Sequence, residues 1–470
     1  MKENSSFSIK KPAKASIWYL ALGILGKATS VIVTPFFTRL LSGEDYGELT
    51  LYMTLTGILS VICSSVSSGS AMYKGLKDNR NNIGGFLKSS LLVSWSFCLL
   101  TCLLLFTFSP FVAINRFLFV PLTIQVLCDS TIAVSLSSAR FEYRYKEVAA
   151  IGLITSLLPA LISILLLWLF DLDFRVRIYA MLFISVCAAA FSLIKILKMK
   201  GELERKIIKK FYKTSLPLVP HSVGNALSGQ SDKIILSWVM GAAALAKYSV
   251  IHSLGVALQF AVGAIGSALG PWIIRRLDSG EKEKIADLSA LLLSGFSALN
   301  LCIIAAAPEA MQILAPKEYL DALPALLPIS FTPLFALISM ITTLSLVHSE
   351  RGRLSGVLTL LGSVIGVFLN FTLIPKFGYF GAGTALLLSQ AFSVITGLIF
   401  LKKNELANVI NLPSAIKSLM VSAVVGLLML LLKDNLSARI LLLIIPAVLL
   451  LNNLFYVKNL IFEKKAKFEY

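Results

Sequence analysis

Long apolar segments dominate the chain, and they constrain its fold more than any other feature. A helix needs about 20 mostly apolar residues to span the hydrocarbon core of a bilayer. The sequence contains fourteen such candidates. They lie near residues 16–39, 47–71, 88–110, 117–139, 148–170, 178–198, 214–239, 247–273, 287–307, 322–347, 354–374, 381–401, 414–432 and 438–460. Only 14% of the residues are charged, against about a quarter in soluble domains, so the sequence predicts an all-α polytopic membrane protein.

The basic residues are distributed asymmetrically between the two ends of these segments. With alternate ends assigned to opposite sides, 31 of the 43 Lys and Arg residues fall on the side of the N-terminus and 10 on the other. The remaining two, Lys27 and Lys417, lie inside segments. The positive-inside rule therefore predicts that both termini are cytoplasmic. The basic run at 198–213 is interpreted as a topology determinant beside anionic headgroups, and the net charge of +18 does not indicate nucleic-acid binding.

The sequence carries no pattern for metal binding or catalysis. Its six cysteines all fall inside apolar segments and form no C-x-x-C motif, so neither a zinc site nor structural disulfides are predicted. Histidine and acidic residues form no cluster with metal-ligand spacing, and no Gly-x-x-x-x-Gly-Lys phosphate loop occurs. We therefore expect no cofactor, no enzymatic activity and no ATP-driven transport by this chain alone.

An internal repeat relates the first and seventh segments. Every matched pair of their small and polar residues is separated by 198 positions: Gly23, Lys27, Ser30 and Thr34 match His221, Asn225, Ser228 and Asp232. Steps of 4, 3 and 4 place each set on one helix face. Six segments separate the copies, so both copies enter the membrane from the same side, as in transporters whose substrate site lies between two lobes.

The repeat predicts a division of the chain into four parts. Residues 1–199 form an N-terminal six-helix lobe, 200–213 a basic cytoplasmic linker, and 214–403 a C-terminal six-helix lobe. Residues 404–470 lie outside the repeat and add two further helices and a basic tail.

Two charged residues lie deep in the first lobe. Lys27 is twelve residues into the first segment, and Asp129 is at the midpoint of the fourth, with Gln125 one turn before it. A charge at the bilayer centre costs at least about 2.5–3.5 kcal/mol, so it normally faces a bundle interior or an aqueous cavity. We expect Lys27 to line a cavity and attract an anion; a structural pair between Lys27 and Asp129 is the alternative.

The seventh segment is the least lipid-like and is predicted to be a gating helix. Proline in a spanning helix permits kinks where neighbours or water satisfy the freed backbone groups, and this segment contains Pro217 and Pro220. Asp232 and Lys233 are adjacent and point in different directions. His221 is either a proton carrier or a hydrogen-bonded helix residue. Asp129, Asp232, Lys233 and His221 are thus the candidates for gating or for coupling to H+ or Na+.

Four stretches carry a resemblance to a known family. LNFTLIPKFGYFGAGTALLLSQAFSVITGLIF (369–400) resembles a recurrent signature of the polysaccharide-exporter branch of the multidrug/oligosaccharidyl-lipid/polysaccharide superfamily. SDKIILSWVMGAAALAKYSV (231–250), TPFFTRLLSGEDYGELTL (34–51) and APKEYLDALPALLPIS (315–330) are similar to other parts of these proteins. The resemblance covers about residues 1–403. Within the superfamily the chain looks like a Wzx-type flippase, although such proteins commonly have twelve spans and fourteen are typical of the lipid II flippases.

The resemblance implies a function. Wzx-type flippases move undecaprenyl-diphosphate-linked oligosaccharide repeat units from the cytoplasmic to the outer leaflet of the bacterial inner membrane. They serve O-antigen, capsule or exopolysaccharide assembly and work by alternating access between two lobes around a cationic cavity. Lys27 occupies a place where the family often has a basic residue. The implied partners are the polyprenyl-diphosphate-linked oligosaccharide, the bilayer, a glycan polymerase and other assembly proteins.

Candidate binding residues follow from the chemistry of such a substrate. Lys27, with Arg275 and Arg276 at the cytoplasmic mouth, is expected to hold the diphosphate by charge-assisted hydrogen bonds. The amides Asn225, Gln259, Asn300 and Asn370 could bind sugar hydroxyls, or they could make interhelical hydrogen bonds worth on the order of 0.6 kcal/mol each.

Three other functions are weighed against this one. A lipid II-type flippase fits the fourteen predicted spans. A cation-coupled drug or metabolite antiporter needs a carboxylate-rich cavity, whereas only Asp129 and Asp232 are deep in the predicted spans. A non-transporting scaffold for glycan-synthesis enzymes needs no polar stripes inside the bundle, so the repeated stripes disfavour it.

Overall fold

The structure is a computed structural model that describes residues 26, 29–67, 69–107, 116–170, 172–215, 219–403, 407–448 and 451. The described residues form helices and their connections, without strands. Contacts divide the chain into two compact units, residues 1–246 and 247–470. The all-α class predicted from the sequence is confirmed.

The described residues of the first unit form nine helices and the start of a tenth. They are α1 (29–40), α2 (Gly43–Ser67), α3 (Gly69–Asp78), α4 (Ile83–Thr107), α5 (Phe119–Phe141), α6 (Tyr145–Leu169), α7 (Arg175–Lys198), α8 (Arg205–Ser215), α9 (Val219–Met240) and the first residues of α10 (Ala242–Gly255). Short 3-10 turns precede α4 and α5. Helix α5 packs against α2, α4 and α7, so it lies in the interior of this unit.

Helix α8 belongs to the packed core of the first unit, although it is too short to span a membrane. Ile207 and Phe211 are four residues apart and therefore share one face of the helix, and both are buried. The ring of Phe211 contacts the ring of Phe86 edge-on, with 5.4 Å between the centroids. Its lysines remain on the opposite, solvated face: Lys206, Lys209 and Lys213 are exposed.

The second unit is built from the remaining helices. They are the rest of α10, α11 (Gln259–Asp278), α12 (Lys282–Leu314), α13 (Leu326–Ser330), α14 (Thr332–His348), α15 (Gly352–Lys403), α16 (Leu412–Leu431) and α17 (Leu436–Leu442). A 3-10 turn, Lys317–Ala325, precedes α13. Helix α14 packs against α11 and α15, and α16 packs along α12. The core of this unit is aliphatic, with Ile273, Ile285, Leu293, Leu334 and Leu337 fully buried.

Two glycines lie at breaks where a residue with a Cβ atom would be strained. Gly378 interrupts α15 with φ 55° and ψ −129°, which divides this stretch of 52 residues into two helices. Gly241 has φ 89° and joins α9 to α10. Positive φ at either position strains a residue with a Cβ atom. Helices α2 and α10 begin 199 residues apart, close to the 198 positions that separate the matched residues of the first and seventh segments.

The contact units differ in their boundary from the predicted lobes. Helix α9, the seventh predicted segment, belongs to the first unit, where it packs against α2. The predicted lobes at 1–199 and 214–403, the linker at 200–213 and the appended part at 404–470 derive from the repeat, and they stay a prediction.

Ten helical stretches within the described residues are long and apolar enough to cross a membrane. One of them, Leu354–Lys403, contains the break at Gly378 and covers two predicted segments. The first predicted segment is described mainly from residue 29 onward, and the last only in part. The protein is therefore a polytopic membrane protein, and the count of fourteen spans stays a prediction.

Candidate functional site

A polar network occupies the middle of the first unit. Oγ of Ser60 on α2 donates a 2.8 Å hydrogen bond to Oδ2 of Asp129, and Nε2 of Gln125 donates one of 2.9 Å to Oδ1. Gln125 and Asp129 are one helical turn apart on α5, so their side chains lie on one face. Nε2 of Gln125 also lies 2.8 Å from Oγ of Ser185 on α7. The network thus connects α2, α5 and α7.

The charge of Asp129 is the main electrostatic feature of this network. Its side chain is partly exposed, whereas that of Gln125 is buried. Among the described residues, every hydrogen-bond partner of Asp129 is neutral. A charged residue inside the membrane is costly, and such residues usually mark proton or ion pathways.

Two further side-chain oxygens belong to this network. Ser60 contributes a hydroxyl, and Oε1 of Gln125 is buried without a hydrogen-bond partner among the described residues. Alkali and alkaline-earth cations prefer carboxylate, carbonyl and hydroxyl oxygens. The carboxylate can therefore accept a proton, or bind a cation together with the hydroxyl oxygen of Ser60. The alternative is a purely structural role, in which these groups only hold the helices together through hydrogen bonds worth on the order of 0.6 kcal/mol each.

The predicted gating residues of α9 are only partly described. Asp232 is buried, with 1% of its surface exposed, and Lys233 is half-buried with Nζ 3.0 Å from Oε1 of Gln230. The backbones of His221 and Asn225 are helical, and their side chains lie outside the described part of the structure. Helix α9 contacts α2 in the same unit, so Asp232 and Ser60 belong to two packed helices.

The predicted diphosphate ligands differ in their surroundings. Lys27 lies outside the described residues. Arg275 and Arg276 form the last turn of α11, where Arg275 is exposed and donates from Nε to the carbonyl of Pro271 at 3.2 Å. Arg276 forms an ion pair with Glu281 and lies over the ring of Trp272, 5.5 Å from its centroid. Of the two arginines, Arg275 is thus the one whose guanidinium faces solvent.

Glu281 follows α11 and contacts two cations. Its carboxylate accepts hydrogen bonds from Lys284 and Arg276, and these two cations lower the pKa of Glu281 below its usual range. The turn is therefore a local ion-pair cluster, in which Arg276 is already neutralised in the described conformation.

Three of the four candidate sugar-binding amides have described side chains, and these three lie on different helices. Asn300 is buried, and its Nδ2 lies 3.4 Å from Oγ of Ser330, a contact between α12 and α13. Asn370 is also buried. Gln259 is exposed at the start of α11, and the side chain of Asn225 is outside the described part. For Asn300 the geometry corresponds to interhelical bonding, one of the two alternatives that the sequence leaves open.

Three polar residues make buried contacts that the sequence does not indicate. Ser185 completes the Asp129 network, and a lone serine in an apolar segment gives no signal of this in the sequence. Arg439 on α17 is buried and forms a bidentate ion pair with Glu309 on α12. Arg177 on α7 is also buried, over the ring of Phe37. Both arginines sit at segment ends, where the sequence suggests solvent-exposed topology determinants.

Comparison with known proteins identifies the family. Residues 13–276, more than half of the chain, match the family model described as "Polysaccharide biosynthesis protein". The chain belongs to this family. The resemblance predicted from the sequence is therefore confirmed.

Individual proteins and solved structures are also similar to this chain. A probable low-salt glycan biosynthesis flippase of Haloferax volcanii is 22% identical over 394 residues, which cover 82% of each chain. An uncharacterized membrane protein of Methanocaldococcus jannaschii is 26% identical over 44% of this chain, and the match spans 42% of that relative. The lipid II flippase MurJ, in an inward closed conformation, aligns with a TM-score of 0.72 and 15% identity over 96% of this chain and 100% of its own. At this identity the likeness shows a shared fold.

Proposed function

We propose that the protein is a flippase for lipid-linked oligosaccharides. It moves undecaprenyl-diphosphate-linked repeat units from the cytoplasmic to the outer leaflet of the bacterial inner membrane, for O-antigen, capsule or exopolysaccharide assembly. The observation that carries the proposal is the partly exposed, mid-span carboxylate of Asp129 in a protein of the polysaccharide biosynthesis family. A polytopic protein that serves only as a scaffold has no need of such a group.

The physical problem of this reaction explains the residues that we assign to it. A diphosphate and a hydrated glycan cannot cross hydrocarbon unless polar groups replace their water, whereas the polyprenyl chain can stay in lipid. In the proposal, Lys27 holds the diphosphate in the cavity, and Arg275 and Arg276 attract it at the cytoplasmic mouth. Asn225, Gln259, Asn300 and Asn370 serve sugar hydroxyls; Asn300 and Asn370, which are buried here, do so only after a conformational change.

Energy coupling is assigned to the intramembrane acids. Asp129 takes up H+ or Na+ from one side and releases it to the other, and Asp232, Lys233 and His221 on α9 respond during gating. A proton or cation at Asp129 changes the hydrogen bonds that the carboxylate can make with Ser60 and Gln125. Because those residues belong to α2 and α5, the occupancy of Asp129 can bias how the two helices pack.

The proposal also includes orientation and partners. Both termini face the cytoplasm, as the asymmetry of Lys and Arg residues supports. A glycan polymerase and other assembly proteins receive the translocated repeat unit.

A lipid II-type flippase is the second candidate, favoured by a MurJ-like fold over 96% of the chain. A cation-coupled antiporter is the third, favoured by the oxygen-rich surroundings of Asp129.

Mass spectrometry of lipid extracts tests the proposal. Polyprenyl-linked oligosaccharides are compared between cells that lack the protein, cells complemented with it, and cells complemented with the Asp129→Asn variant. We expect a complete, unpolymerised repeat unit to accumulate without the protein and to disappear on complementation with the wild type. Accumulation of lipid II selects the second candidate. An unchanged lipid pool contradicts both flippase functions and favours the antiporter, for which uptake of organic cations is the assay.

A further inference from the structure

A stripe of polar residues runs along α2, from its first turns to the level of Asp129. Its members are four residues apart: Glu48, Tyr52, Thr56 and Ser60. The twelve residues between its ends correspond to about 18 Å along the helix axis and a rotation of roughly 120°, so the stripe keeps to one side of α2. Ser60 is the residue that donates a hydrogen bond to Asp129. The stripe therefore connects the beginning of α2 with the polar network in the middle of the unit.

Tyr52 is a fully buried member of this stripe, with 0% of its surface exposed. Its hydroxyl group lies beside Thr56 and interacts electrostatically with Asp129 on α5 and with Tyr179 on α7. None of these groups forms a hydrogen bond of ordinary geometry with the hydroxyl, which is buried without a partner among the described residues. Such a group costs about 1–3 kcal/mol. Phenylalanine would fill the same space without that cost, so packing alone does not explain a tyrosine here.

Glu48 lies one helical turn before Tyr52, at the beginning of the stripe. Its side chain is half-buried, and Oε2 is buried without a hydrogen-bond partner among the described residues. Two further carboxylates, Glu44 and Asp45 in the first turn of α2, act on its charge, and Glu44 is exposed. Acidic groups at the mouth of a polar path raise the local concentration of cations and protons. Glu48 thus stands between solvated acids and the buried hydroxyl of Tyr52.

Charged groups on the helices packed against α2 set the field around this stripe. Helix α5 brings Asp129, α7 brings Arg177, and α9 brings Asp232 and Lys233. Asp129 interacts with Tyr52 and also accepts the hydrogen bond from Ser60. Its carboxylate is therefore the proton acceptor at the inner end of the stripe.

We propose that Glu48 and Tyr52 carry protons from the beginning of α2 to Asp129. The inference rests on the proposed function, in which Asp129 takes up the coupling ion; it names that ion as H+ and gives its entry route. Glu48 takes a proton from solution and passes it to the hydroxyl oxygen of Tyr52. Tyr52 passes its own proton to the Asp129 carboxylate, directly or through water. One proton moves from Glu48 to Asp129, and Tyr52 is neutral before and after.

A hydroxyl group can relay a proton because it both donates and accepts hydrogen bonds. Sodium cannot be passed on in this way, since it needs several oxygen ligands at each position. In the predicted orientation α2 begins at the outer face of the membrane. Protons then enter from the side from which a negative interior potential draws cations inward. Inward movement of protons can thereby drive outward movement of the lipid-linked substrate.

Time-resolved infrared spectroscopy of the purified, full-length protein in nanodiscs tests the path. A light-triggered drop in pH, in Na+-free buffer and without substrate, supplies the protons. The protonated-carboxyl band that is present in the wild type and absent in Asp129→Asn reports the arrival of a proton. The path variants are Glu48→Gln and Tyr52→Phe, with Glu48→Asp as the conservative replacement. The matched controls are the exposed residues Glu44→Gln on α2 and Tyr73→Phe on α3.

We expect Glu48→Gln and Tyr52→Phe each to slow the protonation of Asp129 by at least about tenfold, because a positioned proton-transfer group contributes about 10²–10⁴-fold. The final amplitude of the band should not change, and Glu48→Asp should recover much of the rate. Both controls should behave as the wild type does. Tyr52→Phe should not lower the thermal stability, because it removes a buried hydroxyl without a partner. A purely structural tyrosine predicts the opposite, a less stable protein with an unchanged rate.

Two results overturn the proposal. Wild-type kinetics in Glu48→Gln or in Tyr52→Phe mean that the proton reaches Asp129 by another route. A band that responds to added Na+ at constant pH, but not to the pH drop, means that Asp129 takes up Na+ instead. The infrared signal is recorded without substrate, whereas the lipid-extract experiment measures export. Failure of the path therefore leaves the flippase function standing, and an unchanged lipid pool in cells leaves the infrared result valid.

Discussion

Oγ of Ser60 donates a 2.8 Å hydrogen bond to Oδ2 of Asp129, and this bond joins two helices that are far apart in the sequence. Asp129 lies in the middle of α5, which also packs against α4 and α7. The charge state of one carboxylate is thereby tied to the packing of the α2–α5 pair. A carboxylate only accepts hydrogen bonds, whereas its protonated form also donates one. A proton at Asp129 therefore changes which hydrogen bonds Ser60 and Gln125 can make with it.

Substitution of Asp129 by Asn should impair transport. The amide keeps the shape of the carboxyl group and can still accept a hydrogen bond, but it carries no charge and does not take up a proton at neutral pH. We expect the rate to fall by about tenfold or more, corresponding to about 1.4 kcal/mol of activation free energy. The rate is measured in proteoliposomes as translocation of a labelled lipid-linked oligosaccharide under an imposed pH or Na+ gradient.

Ser185→Ala is the matched control for this variant. It removes the hydroxyl at the far end of the network and leaves both direct partners of Asp129 in place. One interhelical hydrogen bond is worth about 0.6 kcal/mol, so the rate should change by no more than about threefold. A wild-type rate in Asp129→Asn, under both gradients, assigns the carboxylate to packing.

The Asp129 network illustrates what the sequence predicts and what it does not. Asp129 and Gln125 could be singled out because a charge in an apolar segment is rare and a spacing of four defines a helix face. Ser185 could not, since serine is common in such segments and its contact depends on the rotation of α7 against α5. The same limit applies to Arg439 and Glu309, which lie 130 residues apart.

Local signals predicted the elements better than they predicted the contacts. The apolar stretches predicted two segments, 354–374 and 381–401, and the break in α15 lies between them at Gly378. The basic run at 198–213 suggested a solvated surface determinant, but Ile207 and Phe211 bury one face of α8 in the first unit. A face of this kind is visible in the sequence as an i, i+4 pair, whereas its partner Phe86 is fixed only by tertiary packing.

Lys27 should be essential for export, and Lys417 should not. If Lys27 binds the diphosphate, Lys27→Ala removes a charge-assisted hydrogen bond worth about 1.5–3 kcal/mol, a loss of roughly 10- to 100-fold. Lys27→Arg keeps the charge and should retain part of the activity. Lys417 is the other lysine inside a predicted segment, and its side chain on α16 is exposed, so Lys417→Ala serves as the control.

The readout for the lysine variants is surface glycan per cell, normalised to the amount of protein in the membrane. Normal export by a well-expressed Lys27→Ala protein would remove the anion-binding role. Equal loss in Lys27→Ala and Lys417→Ala would point to a general effect of intramembrane lysines on insertion.

The docking of α8 should depend on pH only in acid. Nζ of Lys210 donates a 3.0 Å hydrogen bond to Oδ2 of Asp78 on α3, and this contact lowers the pKa of Asp78 below its usual range. A carboxyl whose pKa is lower in the folded state stabilises that state above its ordinary pKa, about 3.9. The stabilisation is lost as the pH falls through the lowered folded-state pKa.

Hydrogen exchange of the α8 amides, corrected for intrinsic rates, measures this dependence. Protection should be constant from about pH 8 to about pH 5 and should fall in more acidic solution, since Asp78 titrates below about 3.9. Asp78→Asn should remove the acid dependence without abolishing docking, because Phe211 still packs on Phe86. Lys209→Ala, at the exposed lysine beside Lys210, should behave as wild type. A midpoint near pH 6 would exclude Asp78 as the titrating group.

Arg439 should hold the last described helix to α12. Arg439 is 2% exposed, and its guanidinium donates from Nη1 to Oε2 of Glu309 at 2.8 Å and to the carbonyl of Ala305. Removing one partner of an ion pair lowers the stability of the protein by about 3–5 kcal/mol when both groups are buried away from water. The side chain of Glu309 is 46% exposed, so we expect Glu309→Ala to cost only about 1–2 kcal/mol after screening by solvent.

Arg439→Met separates the charge from the packing of its side chain. Methionine keeps much of the apolar stem and leaves Glu309 able to reach water, so this variant should destabilise the protein less than Glu309→Ala does. The double variant should be no less stable than Glu309→Ala alone, because the unpaired buried charge is gone. Unfolding is followed by tryptophan fluorescence in detergent micelles, with Lys433→Met as the exposed-cation control. Strictly additive losses in the double variant would mean that the two residues stabilise the protein independently.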